Sequence, residues 1–556
     1  MGCEILEKST LGKQSYISVE NKKSLEQRKL MEKSSIASKH QNPLDRQEQK
    51  SSNITWTGKI ATNRISSLPF MLFGSLLAAA AVIGLNYITA SPILIIMVAI
   101  FGIIIFAVIM QKPEVGSYLL IITVFTNMSD LFTEKGLPSI NKPLVGLLIL
   151  SILAHFILRT GRLSPAPKFT RAEYSLFAYC AVVIISFFVA VNPDRATAYI
   201  LDLVKDVAIL FCILITLNTR EKWITGANAL LLAITIVSLL GVIHTLTGSN
   251  ETFWGFAQQS AFGQTDDSGE LRFGGPIGES NIWGQILVSI IPFAIYRFFN
   301  ARTVLAKTAF ASSALLILLS MLFTQSRGAF LAFVIILIFI IIEMKISGQV
   351  LATMAIIGMA ILFVVPQKYT ARILSLDSLF NPNQENSLTE DESIAGRREK
   401  MLTGLAMFSE NPIMGVGFAN YTDNYWNYAG NLGLEAGVRN LTSESSARQP
   451  HSLYIEILAE TGLLGLMTFL AFFGFMLQSL IISRRRYKNR GITQDSDWSA
   501  WITSTGMSIL TFLIAGFFLH GIGFRFIWVL AGMALSLIHV SQTDTTKKIT
   551  FKKRIT

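Results

Sequence analysis

Apolar residues fall in uninterrupted blocks of roughly twenty along most of the chain, separated by short polar intervals. A helix of about 20 apolar residues, rising 1.5 Å each, spans the roughly 30 Å hydrocarbon core of a bilayer. That rule predicts 14 transmembrane helices, near 68–88, 91–111, 116–131, 143–159, 173–191, 198–217, 223–246, 279–298, 308–324, 328–343, 349–366, 451–482, 499–519 and 525–541. The expected fold class is therefore all-α and polytopic. Two polar intervals are long, 247–278 and 367–450. In the second, Ile394, Met401, Leu405 and Phe408 share one stripe, with Pro412 just beyond, which predicts a short amphipathic helix whose stripe covers an apolar surface.

Composition agrees with a membrane protein: of 556 residues 51% are hydrophobic and 15% charged, and mean hydropathy is +0.50. The three cysteines, Cys3, Cys180 and Cys212, are scattered and supply no disulfide framework or metal spacing. The net charge of +11 sits in clusters beside apolar runs, which points to topology control and away from nucleic acid. An inside amino terminus brings Arg159, Arg162, Lys168 and Arg171 to the cytoplasmic side, together with Arg297, Arg302, Lys307 and the Arg484–Arg486 run. Both termini are then cytoplasmic, and the two long loops face outward. Residues 1–66 read as a disordered cytoplasmic tail without a signal peptide, 67–246 as amino-terminal spans, 247–541 as the core with its loops, and 542–556 as a basic cytoplasmic tail. Met1-Gly2-Cys3 only superficially resembles an acylation start.

Function is expected on the outward loops. In "ELRFGGPIGESNIWGQ", Arg272 precedes a Gly-rich helix entry suited to an anion, or else anchors the loop at lipid headgroups. In "FTQSRGAFLAF", Arg327 stands at an outer turn against the positive-inside bias, as a functional cation or one that snorkels to the interface. Arg397 and Arg398 flank the amphipathic stripe, and "GVGFANY" follows with aromatics suited to sugar faces. In "QPHSLYIEILAETGLLG", Pro450 and His451 are placed in the first turn of a helix, whose dipole disfavours imidazolium. His451 then qualifies as a neutral proton acceptor, with a structural histidine as the alternative. Asp202, Lys205 and Asp206, at i, i+3 and i+4, are expected to pair with one another, and His520 and Arg525 to be interface residues. No catalytic metal motif stands out.

The SRG turn, the "GR…NPIMGVGFANY" segment and "HSLYIEILAETGLLG", in that order, resemble the O-antigen ligase and polymerase superfamily of bacterial envelope enzymes over about residues 220–475. The resemblance implies a GT-C-like fold and a glycan donor on undecaprenyl diphosphate, with lipid A core or another lipid-linked glycan as acceptor. It implies no cofactor and no metal, a location in the bacterial inner (plasma) membrane with the active site facing the periplasm or exterior, and a flippase and chain-length regulator as partners. Carried over by position, His451 is the family's loop histidine, and Arg272, Arg327 and Arg397 or its neighbour Arg398 are its diphosphate-holding arginines. A bicarbonate-uptake-like transporter is the alternative. It is disfavoured because no repeat relates the halves and the distinctive polar residues gather on one side rather than at midplane.

Overall fold

The structure is a computed structural model that describes residues 92–158, 168–248, 251–260, 271–364, 388–433, 449–488, 493–521 and 524–555. The expected span at 68–88 and tail at 1–66 lie outside the described residues, as do 249–250 and 261–270 of the first long loop and 367–387 and 434–448 of the second. Residues Ile96–Thr556 form one compact unit.

Helices dominate: α1 (Pro92–Gln111), α2 (Pro113–Phe125), α3 (Met128–Glu134), α4 (Asn141–Ile157), α5 (Arg171–Ser186), α6 (Pro193–Thr216) and α7 (Arg220–Thr247) precede a two-strand hairpin, β1 (Gln258–Gln259) with β2 (Phe273–Gly275). Then come α8 (Ser280–Asn300), α9 (Val304–Phe323), α10 (Arg327–Met344), α11 (Gly348–Val364), α12 (Leu388–Glu410), α13 (Tyr421–Asn431), α14 (Leu453–Lys488), α15 (Thr493–Ala515) and α16 (Arg525–Ile555). Among the described residues eight helices are long and apolar enough to cross a membrane, or nine if α2 and α3, bent by 62°, count as one span. The protein is thus a multi-pass, all-α membrane protein. Helix α16 continues to Ile555, through the interval expected to be a tail.

Local chemistry explains where the helices begin. Thr170 and Glu173 form a capping box on α5; the side chains of Asn192, Thr219, Thr303 and Ser326 accept from the first turns of α6, α7, α9 and α10. These caps satisfy amides that a membrane environment cannot hydrate. The most enclosed spans are α8 and α16, with 78% and 83% of their apolar windows buried in protein, whereas α9 and α10 reach only 22% and 28% and face lipid. Small polar side chains join the inner helices: Ser117 to Thr216 at 2.7 Å, the Trp223 indole to the Met533 carbonyl at 2.8 Å, and the Ser536 hydroxyl to the Leu217 carbonyl at 2.7 Å. Such bonds contribute about 0.6 to 2 kcal/mol each between helices in lipid.

The expected triad on α6 does not form. Lys205 binds Asp202 at 2.7 Å with both side chains half exposed, while Asp206 points inward and takes Arg525 at 3.3 Å. Arg525 also reaches Asp130 at 3.9 Å, so it ties α6, α3 and α16 together. Asp206 follows Asp202 by four residues, but only Asp206 lies on the buried face of the helix.

Candidate functional site

The carboxyl ends of α5, α9 and α15 and the amino ends of α6, α8, α10, α14 and α16 converge at one end of the bundle. At that end His451 departs from its expected place. Helix α14 begins at Leu453, and His451 stands outside it with φ of 50°, in the left-handed region that non-glycine residues visit rarely. The Leu453 amide instead donates to the carbonyls of Gly516 and Leu519 at 2.8 and 2.9 Å, which pins the segment to the loop between α15 and α16. That loop carries His520, whose ring meets the His451 ring edge-to-face with centroids 5.3 Å apart.

The environment of this pair is cationic. Lys400 of α12 points its Nζ at His451 Nε2, 3.4 Å away. Burial, Lys400, His520 and Arg397 together push the His451 pKa from 6.5 down to about 2. Burial chiefly, with Lys400 and Arg397 adding to it and Glu279 opposing, brings His520 down to about 4. Both rings are therefore neutral at pH 7, for reasons of burial and neighbouring charge rather than a helix dipole. Nδ1 of each ring is buried without a hydrogen-bond partner among the described residues. Arg397 is half-buried and its charge acts on both rings, whereas Arg398 is exposed.

Helix α12 is held so that this face stays turned inward. The Tyr421 hydroxyl donates to the Lys400 carbonyl at 2.5 Å and the Tyr425 hydroxyl to the Glu399 carboxylate at 2.8 Å. Thr403, Gly404 and Met407 are buried, and a Cβ on Gly404 would lie 2.5 Å from Ile455 Cγ2. The stripe expected to cover an apolar surface is not the buried one: Leu405 is 43% exposed and Phe408 half-buried, because the helix packs through the face that carries Thr403, Gly404 and Met407.

Residues 412–421 clasp a kink in α14. Gly462 has φ of 65° and ψ of −164°, which releases amides that the ladder would otherwise use. Leu463 N then donates to the Pro412 carbonyl at 2.8 Å, and the Ala459 and Glu460 carbonyls accept from Val416 and Gly417 at 2.9 and 3.0 Å. The Glu460 carboxylate takes the amides of Ala419 and Tyr421 at 2.9 and 3.2 Å. Backbone approaches this closely that a Cβ on Gly415 would lie 2.4 Å from the Glu460 carbonyl carbon. The other side of the loop docks on the α5–α6 turn through Ser186 to Phe418 N, Asn192 to Asn420 and Asp423, and Arg195 to Asp423 at 2.9 Å.

Arg272 and the SRG turn form the third part. The buried Arg272 guanidinium donates twice to the Thr324 carbonyl, at 2.9 and 2.7 Å, and once to Asn281 Oδ1 at 3.2 Å. Asn281 in turn donates to Glu279, whose other oxygen caps α8 at Ile282 N. Arg272 thereby fixes the turn that presents Arg327, half-buried at the first position of α10. The next residue, Gly328, abuts the α15–α16 loop, where a Cβ would lie 2.7 Å from Phe518 Cβ. Gly521 N closes the arrangement by donating to Glu456 of α14 at 3.1 Å. The SRG turn, the His520 loop, His451 and α12 are thus successive layers of one assembly.

Residues 312–470 match the family model of O-antigen ligase. The chain carries an O-antigen ligase domain. No curated protein matches the chain. The O-antigen ligase match runs from α9 through the SRG turn, α12, the 412–421 clasp and His451 into α14, and this family implies a glycan ligase or polymerase kind of enzyme. Arg272 and His520 fall outside the matched residues and join the site through the contacts above. Sequence reasoning missed Lys400 and the pairing of His520 with His451. The i, i+3 spacing of Arg397 and Lys400 was the available signal for the first; nothing local signals the second.

Proposed function

We propose that the chain transfers a glycan from an undecaprenyl-diphosphate carrier to an acceptor hydroxyl, on a GT-C-like scaffold whose site faces the periplasm or exterior. The acceptor is lipid A core or a second lipid-linked glycan. The observation that carries this reading is a buried, neutral histidine with the Lys400 ammonium 3.4 Å from its Nε2 and the Arg397 charge acting on it, within the segment that matches the O-antigen ligase family.

In this reading Arg327, Arg397 and Lys400 receive the diphosphate. Arg398, at the exposed edge of α12, meets it from outside, and Arg272 acts through the turn that it holds. The acceptor oxygen attacks the anomeric carbon, the bond from that carbon to the diphosphate oxygen breaks, and the lipid diphosphate leaves with the electron pair. His451 takes the hydroxyl proton at Nε2. Before the donor binds, Lys400 occupies that lone pair; a diphosphate draws the ammonium away, and its negative charge raises the affinity of the ring for a proton. Cations placed where leaving-group charge develops contribute about 3 kcal/mol each to the transition state. Attack opposite the leaving diphosphate inverts the anomeric centre.

Proteoliposomes holding the purified protein and a polyprenyl-diphosphate-linked glycan test this directly. Formation of a ligated or lengthened glycan with release of lipid diphosphate is the expected result. Bicarbonate flux into sealed vesicles, with no glycan product, would establish the transporter alternative instead.

A further inference from the structure

The outward face of α12 is apolar although the helix lies outside the span candidates. Leu402 and Leu405 are 40% and 43% exposed, and with Ala406, Ser409 and Leu432 they line an open groove of about 400 Å³. One turn beyond Ser409 comes Ile413, 64% exposed. The groove is not an isolated patch. Leu463 and Leu464 of α14 donate to the carbonyls of Pro412 and Ile413, at 2.8 and 3.5 Å, which sets Ile413 at the head of the exposed stripe Leu463, Leu464, Met467 and Leu470. That stripe belongs to a helix long and apolar enough to cross a membrane, only 33% of whose apolar window is buried in protein, which leaves the stripe for lipid to cover.

We propose that the groove-bearing face of α12, with Ile413 and Leu432, is immersed in the membrane leaflet beside α14 and takes lipid acyl chains. Continuity with the lipid-facing stripe identifies the occupant. A helix carrying an apolar stripe, with charges on its remaining surface, lies in the interface plane with that stripe buried about 5–10 Å into the headgroup and acyl boundary. Arg398, one turn before Leu402 on the same exposed side, then lies at headgroup level, where the diphosphate of a lipid-borne donor would meet it. Immersion would leave α12 with two working faces, Arg397 and Lys400 toward His451 and Leu402 and Leu405 toward lipid, so that a lipid-borne ligand could reach the cations without leaving the leaflet.

Site-directed fluorescence tests the placement. In a background with Cys3, Cys180 and Cys212 replaced by serine, single cysteines at Leu405, Leu402 and Met467 are labelled with bimane in phosphatidylcholine vesicles. Immersion gives blue-shifted emission at 405 and 402, quenched by acyl-chain nitroxide lipids at least half as strongly as at 467 and resistant to aqueous iodide. Iodide quenching at 405 and 402 with no lipid quenching would overturn the proposal, placing the face in water. Blue-shifted emission without lipid quenching, accompanied by 405–405 crosslinking, would overturn it in favour of a second copy of the chain. Two neighbouring label sites and the reference on α14 separate these outcomes from misfolding of any one variant.

Discussion

Lys400 Nζ lies 3.4 Å from His451 Nε2, so the lone pair proposed to accept a proton already receives a hydrogen bond from a cation. Lys400→Met removes that donor and the charge that helps to depress the ring. The His451 pKa should rise from about 2, and the variant should need more donor lipid for half-maximal rate. Histidine NMR titration and a KM determination check this; an unchanged titration would separate Lys400 from the ring.

Arg272 is buried and holds the Thr324 carbonyl by two hydrogen bonds. Arg272→Ala leaves that carbonyl unpaired and should lower stability by about 2–3 kcal/mol, since bonds to charged groups contribute about 1.5–3 kcal/mol. Arg272→Lys should recover part of it, because an ammonium cannot reproduce the forked geometry. Thermal unfolding in micelles reads both.

Gly415 and Gly462 combine positive φ with backbone atoms closer than 2.5 Å to where a Cβ would stand. Alanine at either position should cost more than about 2 kcal/mol through backbone strain and displacement of the clasp. Gly474→Ala, on the same helix with nothing within 4 Å, is the control and should be neutral or slightly stabilising. Equal stability of all three variants would contradict the clasp.

His451 and His520 have folded pKa values below that of an unfolded histidine, so the unfolded chain binds more protons between those values and about 6.5. Their contribution is complete above pH 6.5 and is lost as pH falls, at up to about 1.4 kcal/mol per pH unit for each ring. The unfolding temperature should fall from pH 7 to pH 5, and His451→Asn combined with His520→Asn should flatten that slope. An identical slope in the double variant would refute the linkage.

The membrane-spanning class and the order of the helices were legible because uninterrupted apolar blocks carry that information without any tertiary knowledge. So was the clustering of the SRG turn, α12 and His451, through motif resemblance. The backbone state of His451 was not: Pro450 suggests a helix start, but the Leu453 amide finds its acceptors in the α15–α16 loop and the helix begins three residues after the proline. Nor was the buried face of α12, where periodicity favours Leu405 but the close approach of Ile455 favours Gly404. Long-range pairs such as Asp206 with Arg525 have no local signature.

The proton-accepting role of His451 is tested most directly by transfer kinetics of His451→Ala in proteoliposomes with saturating polyprenyl-diphosphate-linked glycan. Loss of a general base is expected to lower kcat by about 10²–10⁴-fold, with donor binding retained because Arg327, Arg397 and Lys400 are intact. A kcat within threefold of the unsubstituted protein would contradict that role.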